Sequence, residues 1–100
     1  MTYHIIFTRP AQRDIRQIGD YLRDVAGVAV ARRWVEEIIE TTESLREMPA
    51  RQRERVELMA GLRSIPFRDY MIFYRIATET VHILRVVHGA RNITAKLFQR

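Results

Sequence analysis

The chain has 100 residues, no cysteine and a formal net charge of +5, from 17 Lys and Arg against 12 Asp and Glu. A length of this order holds one hydrophobic core, so a second independent domain is excluded and a single domain over residues 1–100 is expected. A composition that is 47% hydrophobic and 29% charged excludes wholesale disorder, and the missing cysteines exclude disulfides and thiolate chemistry.

No apolar run approaches the ~20 residues that span a bilayer. The start, Met1-Thr2-Tyr3-His4, lacks the basic region and long apolar stretch of a signal peptide. A cytoplasmic protein without membrane association is expected. Sixteen of the 17 cations are Arg and only Lys96 is Lys, a ratio that a GC-rich coding sequence also produces. The net charge itself draws the chain toward acidic partners.

Tyr3 to Phe7 reads as a short strand, with Tyr3, Ile5 and Phe7 on one face. Thr8 offers a capping hydroxyl, and Pro10 fits the first turn of a helix, where a missing N–H costs nothing. From there Ala11, Ile15, Ile18, Leu22 and Val25 step by four, three, four and three, the stripe of an amphipathic helix. Gly27 stops it. A second helix is predicted over Val28 to Met48, burying Ala31, Trp34, Val35, Ile38 and Leu45, with Glu36, Glu37, Glu40 and Glu43 as a solvated flank. Pro49 ends it. The short connection makes the pair an antiparallel hairpin.

Residues 50–60 are read as a solvated connecting loop, with Arg51-Gln52-Arg53-Glu54-Arg55 as its charge cluster. Leu62 to Pro66 is a short edge strand, since Pro66 has no donor. Tyr70 to Ile76 and Val81 to His88 are strands joined by a tight turn at Thr78-Glu79. Gly89 breaks the last strand, and no pattern assigns the tail from Ala90 to Arg100 a structure.

A two-residue turn sets Ile76 opposite Val81, Tyr74 opposite Ile83, Ile72 opposite Arg85 and Tyr70 opposite Val87. On the other face Met71, Phe73 and Arg75 meet Val86, Leu84 and His82. Both faces are apolar in their middle, yet one helical hairpin covers only one face of a small sheet. The surplus face needs a cover. A partner is the first expectation, followed by the chain's own tail through Ile93, Leu97 and Phe98, or by a second copy.

No motif of high specificity for chemistry is present. The four glycines are scattered, and Ser44 and Ser64, the only serines, lack a nucleophile-elbow context. His82 and His88 stand six apart on one strand, roughly 20 Å, too far to share a metal ion. One set of residues has the toolkit of a metal-independent ribonuclease: Arg63, Arg68, Tyr70, Tyr74, Arg75, Arg85, His88 and Arg91. Arginines hold a scissile phosphate, and a His or Tyr moves the proton. The same residues equally describe a cationic interface with structural tyrosines.

Gly61-Leu62-Arg63-Ser64-Ile65-Pro66, Tyr70-Met71-Ile72-Phe73-Tyr74-Arg75-Ile76 and Val81-His82-Ile83-Leu84-Arg85-Val86-Val87-His88-Gly89-Ala90-Arg91, after a strand and a helical hairpin, resemble the toxins of type II toxin–antitoxin modules. The superfamily is RelE/ParE, and the pattern looks most like its ParE branch. The resemblance covers nearly the whole chain. It implies an α+β fold: an N-terminal strand, an antiparallel helical hairpin, then a three-stranded antiparallel meander.

Two activities occur in that superfamily. RelE-like members cleave mRNA in the ribosome with a clamp of basic residues; ParE-like members poison DNA gyrase, a type II topoisomerase, without being nucleases. The nuclease arginine after the strand-opening tyrosine falls here at Met71, the lysines before it fall near Met59 and Gly61, and the C-terminal tyrosine falls near Leu97. Only Arg91 matches. The resemblance therefore implies a non-catalytic gyrase inhibitor without metal or cofactor. The alternative is a ribosome-dependent mRNA endonuclease using Arg63, His88 and Arg91.

By the same resemblance Met71, Phe73, Arg75, Leu84 and Val86 line the sheet face away from the helices, and with Arg63 and Arg91 they form the expected partner-binding set. The expected partners are DNA gyrase and a small acidic ParD-like antitoxin. The C-terminal segment of that antitoxin folds over the apolar, arginine-rimmed surface, giving a toxin–antitoxin hetero-oligomer. Arg85 then points toward the helices and needs a carboxylate from Glu36, Glu40 or Asp14.

Overall fold

The computed structural model describes residues 2–98. Strand β1 (His4–Phe7) leads into helix α1 (Arg9–Ala26) and helix α2 (Val28–Glu43). After a connecting segment come β2 (Leu62–Phe67), β3 (Tyr70–Ile76) and β4 (Thr80–His88), and a 3-10 turn at Ala95–Phe98. The sheet order is β1-β4-β3-β2, with β1 parallel to β4 and the other pairs antiparallel. The expected strand, helical hairpin and antiparallel meander are all present.

Local chemistry sets the joints. Thr8 caps α1, its hydroxyl accepting from the Ala11 amide, and Pro10 occupies the first turn. Gly27 sits between the helices at φ 97°, a left-handed value that penalises any Cβ. The second helix ends at Glu43 rather than Met48, followed by a 3-10 turn at Ser44–Arg46. Thr41, Thr42 and Ser44 donate their hydroxyls to the carbonyls of Glu37, Ile39 and Thr41, competing with the helical ladder. The Arg46 carbonyl is then free to accept from the Tyr3 amide at 2.8 Å, which ties the hairpin's end to the entry of β1.

Between hairpin and sheet, Ala11, Trp34, Ile38 and Leu45 pack on Phe67, Ile72, Tyr74, Val81, Ile83 and Val86. Ile15, Ile18, Leu22 and Val35 complete the helical stripes. Val25, read as the stripe's last member, is 60% exposed, because the hairpin tip overhangs the sheet. Tyr74 is fully buried, and its hydroxyl donates to the Pro49 carbonyl at 2.5 Å, anchoring the segment after the hairpin.

The β3–β4 register follows the expected pairing for half its length: Ile76 with Val81, Arg75 with His82 and Tyr74 with Ile83. The Ala77 amide closes the two-residue turn on the Thr80 carbonyl at 2.8 Å. Then the register shifts. Phe73 pairs with Arg85, Ile72 with Val86, Met71 with Val87 and Tyr70 with His88. Leu84 is the extra residue, a β-bulge in β4. The expected pairs Phe73–Leu84, Met71–Val86, Ile72–Arg85 and Tyr70–Val87 are therefore displaced by one position. Val86 turns into the hairpin-side core instead of lining the opposite face.

Side chains from the start of α1 satisfy the bulge. Thr8 donates its hydroxyl to the carbonyls of Ile83 and Leu84. Asp14 accepts the freed Val86 amide at 2.9 Å, and the Arg85 guanidinium at 2.7 Å through Nε and 3.0 Å through Nη2. Arg85 thus finds one of its three expected carboxylates. Its Nη1 donates to the Leu97 carbonyl at 3.1 Å, so one side chain joins hairpin, sheet and tail.

Two outcomes follow from this packing. Asp14→Ala strands a largely buried guanidinium and a bulge amide, and lowers the unfolding free energy by about 3 kcal/mol in urea titration. Asp14→Asn keeps an acceptor for Val86 and costs about half as much. Burial pushes the Tyr74 phenol from 10.0 to about 12. A group whose pKa is raised by folding gives stability that is whole below pH 10 and gone once pH passes 12. Stability therefore declines across that window in the parent chain and declines less steeply in Tyr74→Phe, as pH-dependent denaturation reads directly.

Candidate partner-binding face

The sheet face away from the hairpin has its own small core of Leu62, Phe73 and Val87. The chain covers it by itself. Ile93, Leu97 and Phe98 of the tail pack there, as do Leu58 and Met59 from the segment before β2. The Phe98 ring meets Phe73 edge-on at 5.0 Å, and the Arg55 guanidinium lies 5.8 Å from the same ring. Phe73 is 0% exposed. The second-ranked expectation, cover by the tail, is the one observed, and a partner is not needed to seal this face.

The segment read as a solvated loop supplies part of that cover. Glu54 bridges to Arg63, and its carboxylate accepts the Gly61 amide at 3.0 Å. Arg55 donates to Glu57 at 2.8 Å and to the Ser64 hydroxyl at 3.1 Å. These tethers fold residues 52–61 back onto β2 and carry Leu58 and Met59 over the sheet.

The seven expected partner-binding residues separate accordingly. Met71 and Leu84, both half-buried, flank Phe73 on the tail-covered face, and Arg75 stands exposed at its end. Val86 lies on the hairpin side, moved there by the bulge. Arg63 donates to the carbonyls of Ala50 at 3.2 Å and Gln52 at 2.5 Å, and its second nitrogen lies 3.8 Å from Glu54. Its charge holds the connecting segment. Arg91 is exposed beyond β4, its amide donating to the His88 carbonyl at 3.0 Å.

The eight residues of the ribonuclease toolkit fall into separate groups. Arg63 and Tyr74 are directly paired across β2 and β3. Arg85 is committed to Asp14. His88 is paired with Tyr70 at the opposite end of the meander, two strands and four residues away from Arg63, on the order of 15 Å. His88 meets the Tyr70 ring edge-on at 5.2 Å, and its Nδ1 accepts the Ala90 amide at 3.0 Å. The neutral ring then carries its proton on Nε2, which donates rather than accepts. His82 and His88 do not share a face either, because the bulge lies between them.

His88 and Tyr70 instead wall a cleft of about 690 Å³ between the hairpin tip and the β2–β3 turn. Tyr21, Val30, Arg33 and Trp34 form its other side. Desolvation, followed by the charges of Tyr21 and Asp69, pushes the Tyr70 phenol up, so it stays protonated. Arg68 at the rim is bonded to Glu37. The sequence reading missed this cleft. Tyr21, an aromatic off the apolar stripe of α1, was its one visible signal.

Among the described residues no group of His, Asp or Glu is placed to hold a metal ion, and no helix is long and apolar enough to cross a membrane.

Residues 5–93 match the family model of the ParE toxin of the type II toxin–antitoxin system parDE. The chain is 33% identical over 93 residues to Toxin ParE3 of Caulobacter vibrioides, covering 93% of each. Among solved structures it superposes on a chain of the chromosomal ParDE system of P. aeruginosa with a TM-score of 0.77. That match has 21% identity and covers 87% of this chain and 96% of the other. It also superposes on a chain of the RelBE2 toxin–antitoxin complex of Mycobacterium tuberculosis, with a TM-score of 0.68 and 27% identity over 88% and 99% of the two chains. The fold, the motifs on β2 to β4 and these matches agree: the chain belongs to the ParE toxins of type II toxin–antitoxin systems, within the RelE/ParE superfamily.

Proposed function

We propose that this toxin acts by binding and inhibiting DNA gyrase, without catalysis and without a cofactor, and that a ParD-like antitoxin neutralises it. The observation that carries the reading is the division of the ribonuclease toolkit: Tyr70 and His88 share the cleft with only one of its arginines, Arg68, which Glu37 holds, while Arg63, Arg75, Arg85 and Arg91 do not line it. Phosphoryl chemistry without a metal requires cations and an acid–base pair converging on one reacting centre. Here Arg63 is bonded to carbonyls, Arg85 is held by Asp14, and His88 presents a donor nitrogen far from Arg63. Met71 occupies the position of a clamp arginine in the nuclease branch, and a thioether does not bind phosphate.

The antitoxin partner is supported by the RelBE2 relative, which is a toxin–antitoxin complex. On this chain an acidic segment finds Arg75 exposed beside the half-buried Met71 and Leu84. Phe73 enters such a contact only when the tail lifts from it. The result is a hetero-oligomer in which an antitoxin segment orders on binding.

The reading is tested with purified chain in a gyrase supercoiling assay beside in-vitro translation probed for cut mRNA. Supercoiling is lost and mRNA stays intact. His88→Ala shifts the inhibitory concentration by less than about twofold, whereas loss of a general acid or base costs on the order of 100-fold. Cut mRNA with normal supercoiling overturns the proposal in favour of the endonuclease.

A further inference from the structure

Arg9, Arg13 and Arg16 of α1 are spaced by four and three residues, so they share one helix face at about one residue per turn. Arg32 of α2 joins them by lining, with Arg16, the groove between the two helices. All four are exposed. Among the described residues none of the four has a carboxylate partner. By contrast Arg23, Arg46, Arg53, Arg55, Arg63, Arg68 and Arg85 each lie within 3.8 Å of one. Arg33, Arg51, Arg75, Arg91 and Lys96 also lack one, but each stands in a different segment, so only the α1 cations form a row.

The row is electrostatically unfavourable for the chain alone. It begins at the N-terminus of α1, the positive end of the helix dipole, and no acidic residue stands in that first turn. Asp14, the carboxylate nearest in sequence, is turned inward onto Arg85 and Val86. The cations therefore repel one another and the helix end, a local conflict that an external anion relieves.

The composition of the row selects the anion. Protein interfaces bury apolar or aromatic anchors at their centre, and single-stranded nucleic acid stacks its bases on aromatic rings. Between Arg9 and Arg16 the outward positions are Gln12 and Arg13, with no apolar or aromatic anchor; Val28, Ala31 and Val35, with Asp20, line only the groove at the Arg32 end. The row extends about 10 Å, and a duplex carries one charge per ~1.7 Å of its axis over both strands, so roughly six phosphates lie along that length, about three on each strand.

We propose that this outer face of the helical hairpin binds the phosphate backbone of duplex DNA, independently of base sequence. The binding rests on the hairpin's unpaired arginines; only the choice of DNA over duplex RNA rests on the gyrase reading. The face lies opposite the sheet, so it stays open when the tail side is occupied.

The test is fluorescence anisotropy of the chain with a labelled 20-base-pair DNA across a salt series, without gyrase. Its failure is thereby separate from failure in the supercoiling assay. The triple variant Arg9→Gln, Arg13→Gln, Arg16→Gln removes three phosphate contacts. It lowers the log–log salt slope by about 2.7, at 0.9 per contact, and weakens binding at least tenfold at low salt. Arg and Gln have similar helix propensity, and circular dichroism checks that the variant folds. A control of equal charge loss, Arg51→Gln, Arg53→Gln, Lys96→Gln, changes the slope by less than about 1. Equal effects in the two variants reduce the binding to net charge and overturn the proposal. So does a parent chain that ignores DNA, that prefers duplex RNA of the same sequence, or that is displaced from DNA by equimolar polyglutamate.

Discussion

The Asp14 carboxylate at the β4 bulge is the interaction on which the rest of the arrangement depends. It accepts three donors, one from the Val86 backbone and two from Arg85. A bulge in a central strand leaves backbone groups that β3 no longer reaches, and a buried orphan amide costs about 1–3 kcal/mol. Asp14 and Thr8, both from the first turns of α1, take those groups. The bulge in turn swaps the faces of everything after Leu84. Val86 joins the hairpin-side core, Val87 joins the tail-side core, and His88 turns toward the cleft. Arg85, held by Asp14, also grips the Leu97 carbonyl and so positions the tail.

This explains which parts of the fold were legible. The helical stripe from Ala11 to Leu22, the Thr8 cap, the Gly27 joint and the tight turn at Thr78-Glu79 are encoded within a few residues each, and they stand as expected. The need of Arg85 for a carboxylate was also legible, because burial of an unpaired guanidinium is prohibitive. The bulge was not. Period-2 reading detects an insertion only when apolar and polar positions alternate, and Ile83-Leu84-Arg85-Val86-Val87 is apolar on both sides of its one charge. The cover over Phe73 was hidden for a different reason. Leu58 and Met59 sit in a segment whose charges suggest solvent, and only Glu54, Arg55 and their partners on β2 turn it inward. Helix α2 stops short of Met48 where the hydroxyls of Thr41, Thr42 and Ser44 compete for its carbonyls, which hydrophobic spacing does not reveal.

The cleft carries one polar anomaly, the Trp34 indole N–H, which is buried without an acceptor among the described residues. Its cost is offset by packing. Trp34 meets Phe67 at 5.6 Å and Tyr70 at 5.4 Å, both edge-on. Each such pair contributes about 0.5–1.5 kcal/mol beyond area burial, so two of them balance an orphan donor costing about 1–3 kcal/mol. The indole therefore belongs to the core's aromatic cluster, and the cleft beside it follows from the hairpin tip overhanging the sheet.

The arginines divide by what holds them. Arg55, Arg63, Arg68 and Arg85 each bind a carboxylate, carbonyl or ring of this chain, and they bring the connecting segment, the β2–β3 turn, the hairpin and the tail together. A metal-free nuclease needs such residues free and aimed at one developing charge, where preorganised donors act most strongly. The structural demands of a small domain have taken them for another purpose. Of the cations without a carboxylate partner among the described residues, Arg9, Arg13 and Arg16 lie along one helix face, and Arg33, Arg51, Arg75, Arg91 and Lys96 stand in other segments. The α1 row does not converge on a single reacting centre; it sets its charges out along a line. Of the five arginines that suggest phosphate chemistry in the sequence, Arg63, Arg68 and Arg85 thus serve, once folded, to hold the chain's own segments together.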